Sequence, residues 1–185
     1  MFTPLSSKDS LTAHAIRLQV SSWEDLIGHV QHLPYGRISN ATDLGLVLSE
    51  QKGTCSTKHA LLKKMADLNG IDGVELVLGM YLMSEVNTPG IYPILTQHDL
   101  EAIPEAHCYL KVEEKRYDFT KPDSDIARIE TDILEEVIIQ PEQVGTFKRN
   151  YHRDYLRKYI SKNNIYMSFE TLWKIREACI QQLSG

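Results

Sequence analysis

The stretch from Gly53 to Gly70 constrains this chain more than any other. Leu61, Leu62, Met65 and Leu68 fall on one helical stripe, and Asn69-Gly70 is a C-terminal stop signal. The spacing predicts a helix that begins at Thr54 or Cys55 and runs to about Leu68. Cys55 then stands in the first turn, where backbone N–H groups and the helix dipole favour a thiolate. Gly53 lets the backbone approach a substrate closely, so N–H groups near Cys55 suit an oxyanion, and Gln51 is a candidate side-chain donor to it. A plainer reading uses the same residues. Cys55, His59, Leu62 and Ala66 also share a helical stripe, and unpaired cysteine is often a core residue.

Helices are also expected over Ser21 to His32, behind a Ser cap and ahead of Pro34, and over Asn40 to Ser49. Val74 to Met83 reads as a strand, followed by a polar loop with Pro89, Gly90 and Pro93 that is long enough to be mobile. Val137 to Gln140 is a further strand. Two helices are expected from about Glu142 to Ser161 and from Ser168 to Leu183, with Phe147, Tyr151, Tyr155 and Tyr159 as the buried face of the first. Helices, then mostly antiparallel strands, then helices again is an α+β arrangement. At 185 residues and 42 % apolar content, a single domain over 1–185 is expected. Its core motif region is 51–120 and its helical extension 142–185.

A nucleophilic thiol needs a base. In His107-Cys-Tyr-Leu-Lys-Val-Glu113, Cys108, Leu110 and Val112 alternate with His107, Tyr109 and Lys111, so His107 belongs to the face opposite the core. Arg116 to Thr120 follows closely enough to form a hairpin. If Glu113-Glu114 make the turn, Val112 pairs with Lys115 and His107 lies opposite Thr120. Asp118 is then its diagonal neighbour, about 7–8 Å away at the backbone. A turn at Glu114-Lys115 keeps the same face but separates them further. Asp118 is the expected orienting carboxylate for the imidazole, with Thr120 in reserve.

At these residues the chain resembles the transglutaminase-like superfamily, with its papain-like Cys-His-Asp core. The matching elements are Gly53-Thr-Cys-Ser-Thr-Lys-His-Ala-Leu-Leu, a helix ending in Asn-Gly-Ile71, a strand, Ala-His107-Cys-Tyr-Leu-Lys-Val, and Asp118-Phe-Thr120. The resemblance spans about Gln51 to Thr120. It implies a helix-borne Cys packed on an antiparallel sheet, with extra helices at both ends. It further implies Cys55 as nucleophile, His107 as general base and then acid, and Asp118 as the carboxylate that orients it. Tyr109 stands where the family carries an aromatic two residues after the His, and is a candidate substrate-binding residue.

Arg37, on a loop just before the core, is a candidate for binding a substrate carboxylate. The expected reaction is cysteine-dependent acyl transfer or hydrolysis on an amide or peptide bond, hydrolysis being favoured because nothing marks a second amine site. It requires no metal or organic cofactor. A net charge of −5 with both signs scattered argues against nucleic acid, and the basic and aromatic run at 147–158 reads as an ordinary amphipathic helix. The first ten residues lack a basic flank and apolar stretch, and no segment approaches a membrane span. Three cysteines are an odd, sparse set suited to reduced thiols in a cytoplasmic protein.

Two other classes fit the same residues. Cys55, His59, His107 and Cys108 are of the right type for zinc, although Cys108 should face away from His107. A non-catalytic module that keeps the fold to bind a peptide or protein partner is the third possibility. The oligomeric state has no signature in the sequence.

Overall fold

The structure is a computed structural model and describes residues 3–183. Met1 and Phe2, part of the stretch read for a leader, lie outside the described residues. The fold is α+β, with one four-stranded antiparallel sheet in the order β3-β2-β1-β4. Its strands are β1 (Val74–Ser84), β2 (Ala102–Val112), β3 (Lys115–Tyr117) and β4 (Ile133–Ile139).

Two compact units divide the chain. The first comprises residues up to 78, 108–126 and 137–145. It holds α1 (Ser10–Arg17), α2 (Trp23–His32), α3 (Gly45–Ser49), α4 (Cys55–Leu68) and a 3-10 helix (Pro141–Val144). Asp9 caps α1 by accepting from the Leu11 and Thr12 amides, and Ser22 caps α2 by accepting from Asp25. The periodicity over 21–32 anticipates α2 closely. The expected helix at 40–49 forms only as α3, because Asn40 and Asp43 turn their side chains onto the following N–H groups and hold a turn instead.

α4 is the centre of this unit. All eight residues from Cys55 to Leu62 are buried, polar ones included, because α1, α2, α3 and the 3-10 helix all pack on it. A single apolar stripe therefore understates its burial. Leu26, Val30, Val47, Leu48, Leu61 and Met65 make the core around it.

The second unit comprises residues 79–107, 127–136 and 146 onward. It holds α5 (Tyr92–Thr96), α6 (Ala127–Glu130), α7 (Thr146–Lys162) and α8 (Phe169–Gln182). The loop after β1 is fastened: the Glu85 carboxylate accepts from the Gly90 and Tyr92 amides, and α5 follows at once. The buried line of α7 runs through His152 and Leu156, so the expected buried face of Phe147, Tyr151, Tyr155 and Tyr159 is a correction. Those rings are half-buried or exposed, since a phenol keeps its hydroxyl near water or a polar partner, as Tyr151 does with Glu135.

β2 corrects the expected alternation as well. From Ile103 to Ala106 and from Cys108 to Leu110 every residue is buried, so this central strand is covered on both faces. Among the described residues, no helix is long and apolar enough to cross a membrane.

Candidate functional site

Cys55 is the first residue of α4, 7 % exposed, and none of the three cysteines is in a disulfide. Thr54 precedes it as an extended N-cap. Thr54 Oγ1 accepts from the Thr57 amide at 3.4 Å, and Thr57 Oγ1 accepts from the Thr54 amide at 3.0 Å, closing a capping box with threonine at both ends. Gly53 is pinned in turn: its amide donates to Pro34 O at 3.1 Å and its carbonyl accepts from the Gly36 amide at 3.2 Å. A Cβ at Gly53 would lie 2.8 Å from Lys58 Cγ, so glycine is demanded by packing against Lys58. The loop with Arg37, which is exposed, is thereby tied to the residue two before Cys55.

Gln51 sits in the left-handed region at φ 52° and turns its side-chain amide onto the Leu48 carbonyl. Here it secures the turn between α3 and α4.

Of the two registers expected, the hairpin has the one about Glu113-Glu114. Val112 pairs with Lys115, Lys111 with Arg116 and Leu110 with Tyr117, about Glu113-Glu114, both at positive φ as a two-residue primed turn requires. The expected strand through Thr120 stops at Tyr117. Asp118 Oδ1 accepts from the Thr120 amide at 2.9 Å and from Thr120 Oγ1 at 2.5 Å, an Asx turn that bends the chain away from the ladder. Thr120 therefore holds Asp118, and β-pairing does not extend to it.

This turn is bound to α4 by two neighbouring side chains. His59 Nε2 accepts from the Phe119 amide at 2.8 Å, which leaves the ring proton on Nδ1 for the Cys55 carbonyl at 2.7 Å. The ring is thus the neutral tautomer, and its 3.7 Å approach to Asp118 Oδ1 is a contact rather than an ion pair. Lys58 is fully buried. Its ammonium donates to Leu33 O at 2.5 Å, Thr120 O at 2.6 Å and, more distantly, Gln31 O at 3.5 Å. Gln31 and Leu33 lie at the C-terminal end of α2, where carbonyls left over from the helix gather negative potential. Burial pushes the Lys58 pKa down and Lys121 adds to that, while Asp118 and Cys55 hold it up, leaving it at about 8.

His107 lies in the second unit, half-buried, with its ring edge-on to Tyr81 at 6.3 Å. Tyr109 is fully buried in β2 and so presents no surface to a substrate, which corrects the expectation of a binding role: both faces of this strand are covered. The residues that the sequence did not mark are Lys58 and the carbonyl-directed role of His59. Their spacing, three and four residues after the candidate nucleophile and so one turn along the same helix, was the available signal.

Among the described residues, no group of three or more His, Cys, Asp or Glu is arranged to hold a metal ion. His59 is committed at both ring nitrogens, which removes it from a zinc set with Cys55. No protein-family model matches this chain, and no curated protein or solved structure matches it significantly.

Proposed function

We propose that this protein is a transglutaminase-like cysteine enzyme that hydrolyses or transfers the acyl group of an amide or peptide substrate. The observation that carries the reading is Cys55 at the first position of a well-capped, buried helix, with the Lys58 ammonium one turn further on. A thiolate is favoured by the positive end of the helix and by a nearby cation. First-turn N–H groups point out of the same helix end, towards where a tetrahedral oxyanion would form.

In this mechanism the Cys55 thiolate attacks the carbonyl carbon, and the C–N bond breaks. The amine or ammonia leaves with a proton from His107. Water, or a second amine, then gives its proton to His107 and attacks the thioester, restoring the thiolate. His107 takes this role from its place in the sequence order, and Asp118 is the orienting carboxylate, itself held by Thr120.

The test is to incubate the protein with a glutamine-containing peptide and with a p-nitrophenyl ester, then look for a Cys55 thioester by intact mass. Formation in the native chain, absent in Cys55→Ala, is the expected result; an unmodified Cys55 with both substrates overturns the reading. The low exposure of Cys55 favours one alternative, a module that keeps the fold to bind a peptide. A Cys55 inert to a small alkylating reagent would decide for that alternative.

A further inference from the structure

We propose that Lys58 is a positioning residue for the Cys55 site: it clamps the Asp118–Thr120 turn to the end of α2 and supplies the charge against which a Cys55 thiolate is held. The inference rests on Cys55 being the functional thiol.

A buried ammonium needs a reason. Lysine is rarely fully buried unless its charge is paired or its donors are all taken. Each N–H of Lys58 has a carbonyl acceptor, from Leu33, Thr120 and Gln31. Carbonyls solvate the ammonium without neutralising it, so its full charge remains inside the protein. Around it stand Cys55 on α4, Asp118 and Lys121 on the segment after β3, and the carbonyl end of α2. Neighbouring His59 accepts the Phe119 amide at Nε2 and faces the Cys55 carbonyl with Nδ1, an arrangement that uses the uncharged ring. Of the acidic groups that surround Lys58, Cys55 is the one within the same helix, at i and i+3, where side chains share a face.

The clamp has a geometric part too. Thr120 gives its carbonyl to Lys58 and its amide and hydroxyl to Asp118, so a single residue connects the cation to the carboxylate. Gly53 completes the arrangement by leaving room for the Lys58 stem. A plainly structural lysine would explain the three hydrogen bonds. It would leave the Cys55 thiol indifferent to the Lys58 charge, which is the point on which the two readings differ.

The experiment measures the pH dependence of Cys55 alkylation by iodoacetamide, read by peptide mass spectrometry, in the native chain and in Lys58→Gln and Lys58→Met. Loss of the charge should raise the Cys55 midpoint and slow labelling at pH 7 by roughly three- to tenfold. An unchanged midpoint in a folded variant overturns the inference. Should both variants fail to fold, the reciprocal measurement decides: the Lys58 Cε signal is titrated by NMR in the native chain and in Cys55→Ser. Removing the thiolate should lower the Lys58 midpoint, and an unchanged midpoint overturns the inference. Neither readout requires turnover, so a Lys58-dependent thiol that forms no thioester would defeat the acyl-transfer reading alone. A thioester with a Lys58-independent thiol would defeat only this one.

Discussion

The imidazole of His59 receives the backbone N–H of Phe119 at 2.8 Å, across sixty residues of sequence. Its other nitrogen serves the Cys55 carbonyl, so one neutral ring ties the start of α4 to the turn that carries Asp118. Replacement by Phe fills the space but takes the acceptor from the half-buried Phe119 amide, while the Cys55 carbonyl keeps its place in the α4 ladder. His59→Phe should cost about 1–3 kcal/mol, the usual range for one orphaned group. Urea unfolding of the native and variant chains measures this; a loss under about 0.5 kcal/mol would show that water replaces the ring.

Cys55 and Cys179 should separate cleanly in thiol chemistry. Cys179 is fully buried in α8, and burial pushes its thiol pKa up, with the Glu105 charge adding to the shift. At pH 7.5 a limiting amount of iodoacetamide should therefore modify Cys55 well before Cys179. Peptide mapping checks the order, and the reverse order would count against a functional Cys55.

Lys58 should give stability an unusual pH dependence. The folded pKa of about 8 lies below the ordinary 10.5, so between those values the unfolded chain holds one more proton than the folded one. Stability contributed by this group therefore rises with pH across that window, by up to about 3 kcal/mol. Denaturation of the native chain and Lys58→Met at pH 7, 8.5 and 10 tests it. The native chain should gain relative to the variant as pH rises, and parallel curves would contradict the shift.

Glu105 and Arg176 make a paired, buried salt bridge in the second unit, with Arg176 Nε at 2.6 Å and Nη2 at 2.5 Å from the carboxylate. Burial opposes the Glu105 charge, but the Arg176 and His152 charges and the Arg176 hydrogen bond outweigh it, and the pKa is held at about 2. The depressed value makes this stabilisation complete above about 4.5 and lost as pH falls from there towards 2. Glu105→Gln should cost about 2–3 kcal/mol at pH 7, because the half-buried Arg176 then has only the more exposed Glu177 carboxylate, 2.7 Å away, to offset its charge. Thermal melts from pH 7 to 2.5 should show the gap to the native chain closing in acid.

Gly53→Ala tests the packing beneath the thiol. The new Cβ would lie 2.8 Å from Lys58 Cγ and 3.2 Å from Thr57 Oγ1, so the lysine stem must shift and the capping box with it. A loss of about 1–3 kcal/mol is expected, the usual range for overpacking. If the melting temperature is unchanged, the lysine has found another path and its hydrogen bonds are not tightly set.

Local signals carried far. The stripe of Leu61, Leu62, Met65 and Leu68 and the Asn69-Gly70 stop mark a helix from Thr54 or Cys55 to about Leu68, and α4 runs from Cys55 to Leu68. The short gap after Val112 anticipates a tight hairpin, and of the two registers it allows the structure has the Glu113-Glu114 turn. These features are legible because capping, periodicity and turn geometry involve residues within a few positions of one another. The same reasoning overran at Asp118, where a side chain competed with the strand for the Thr120 amide, and it misjudged Tyr109, whose outer face is covered by the rest of the fold.

The first turn of α4 shows the division most plainly. The sequence by itself determined that a helix would start at Thr54 or Cys55 and put Cys55 in its first turn, since the apolar stripe and the Asn69-Gly70 stop lie within that one segment. Only the tertiary structure decided that Lys58 and His59 would be buried beside it and hold the turn at Asp118. Their partners, Leu33, Phe119 and Thr120, lie twenty-five to sixty-two residues away. A lysine in a helix is ordinarily solvated. It is buried here because carbonyls from two distant segments converge on its ammonium, and no local pattern encodes that convergence.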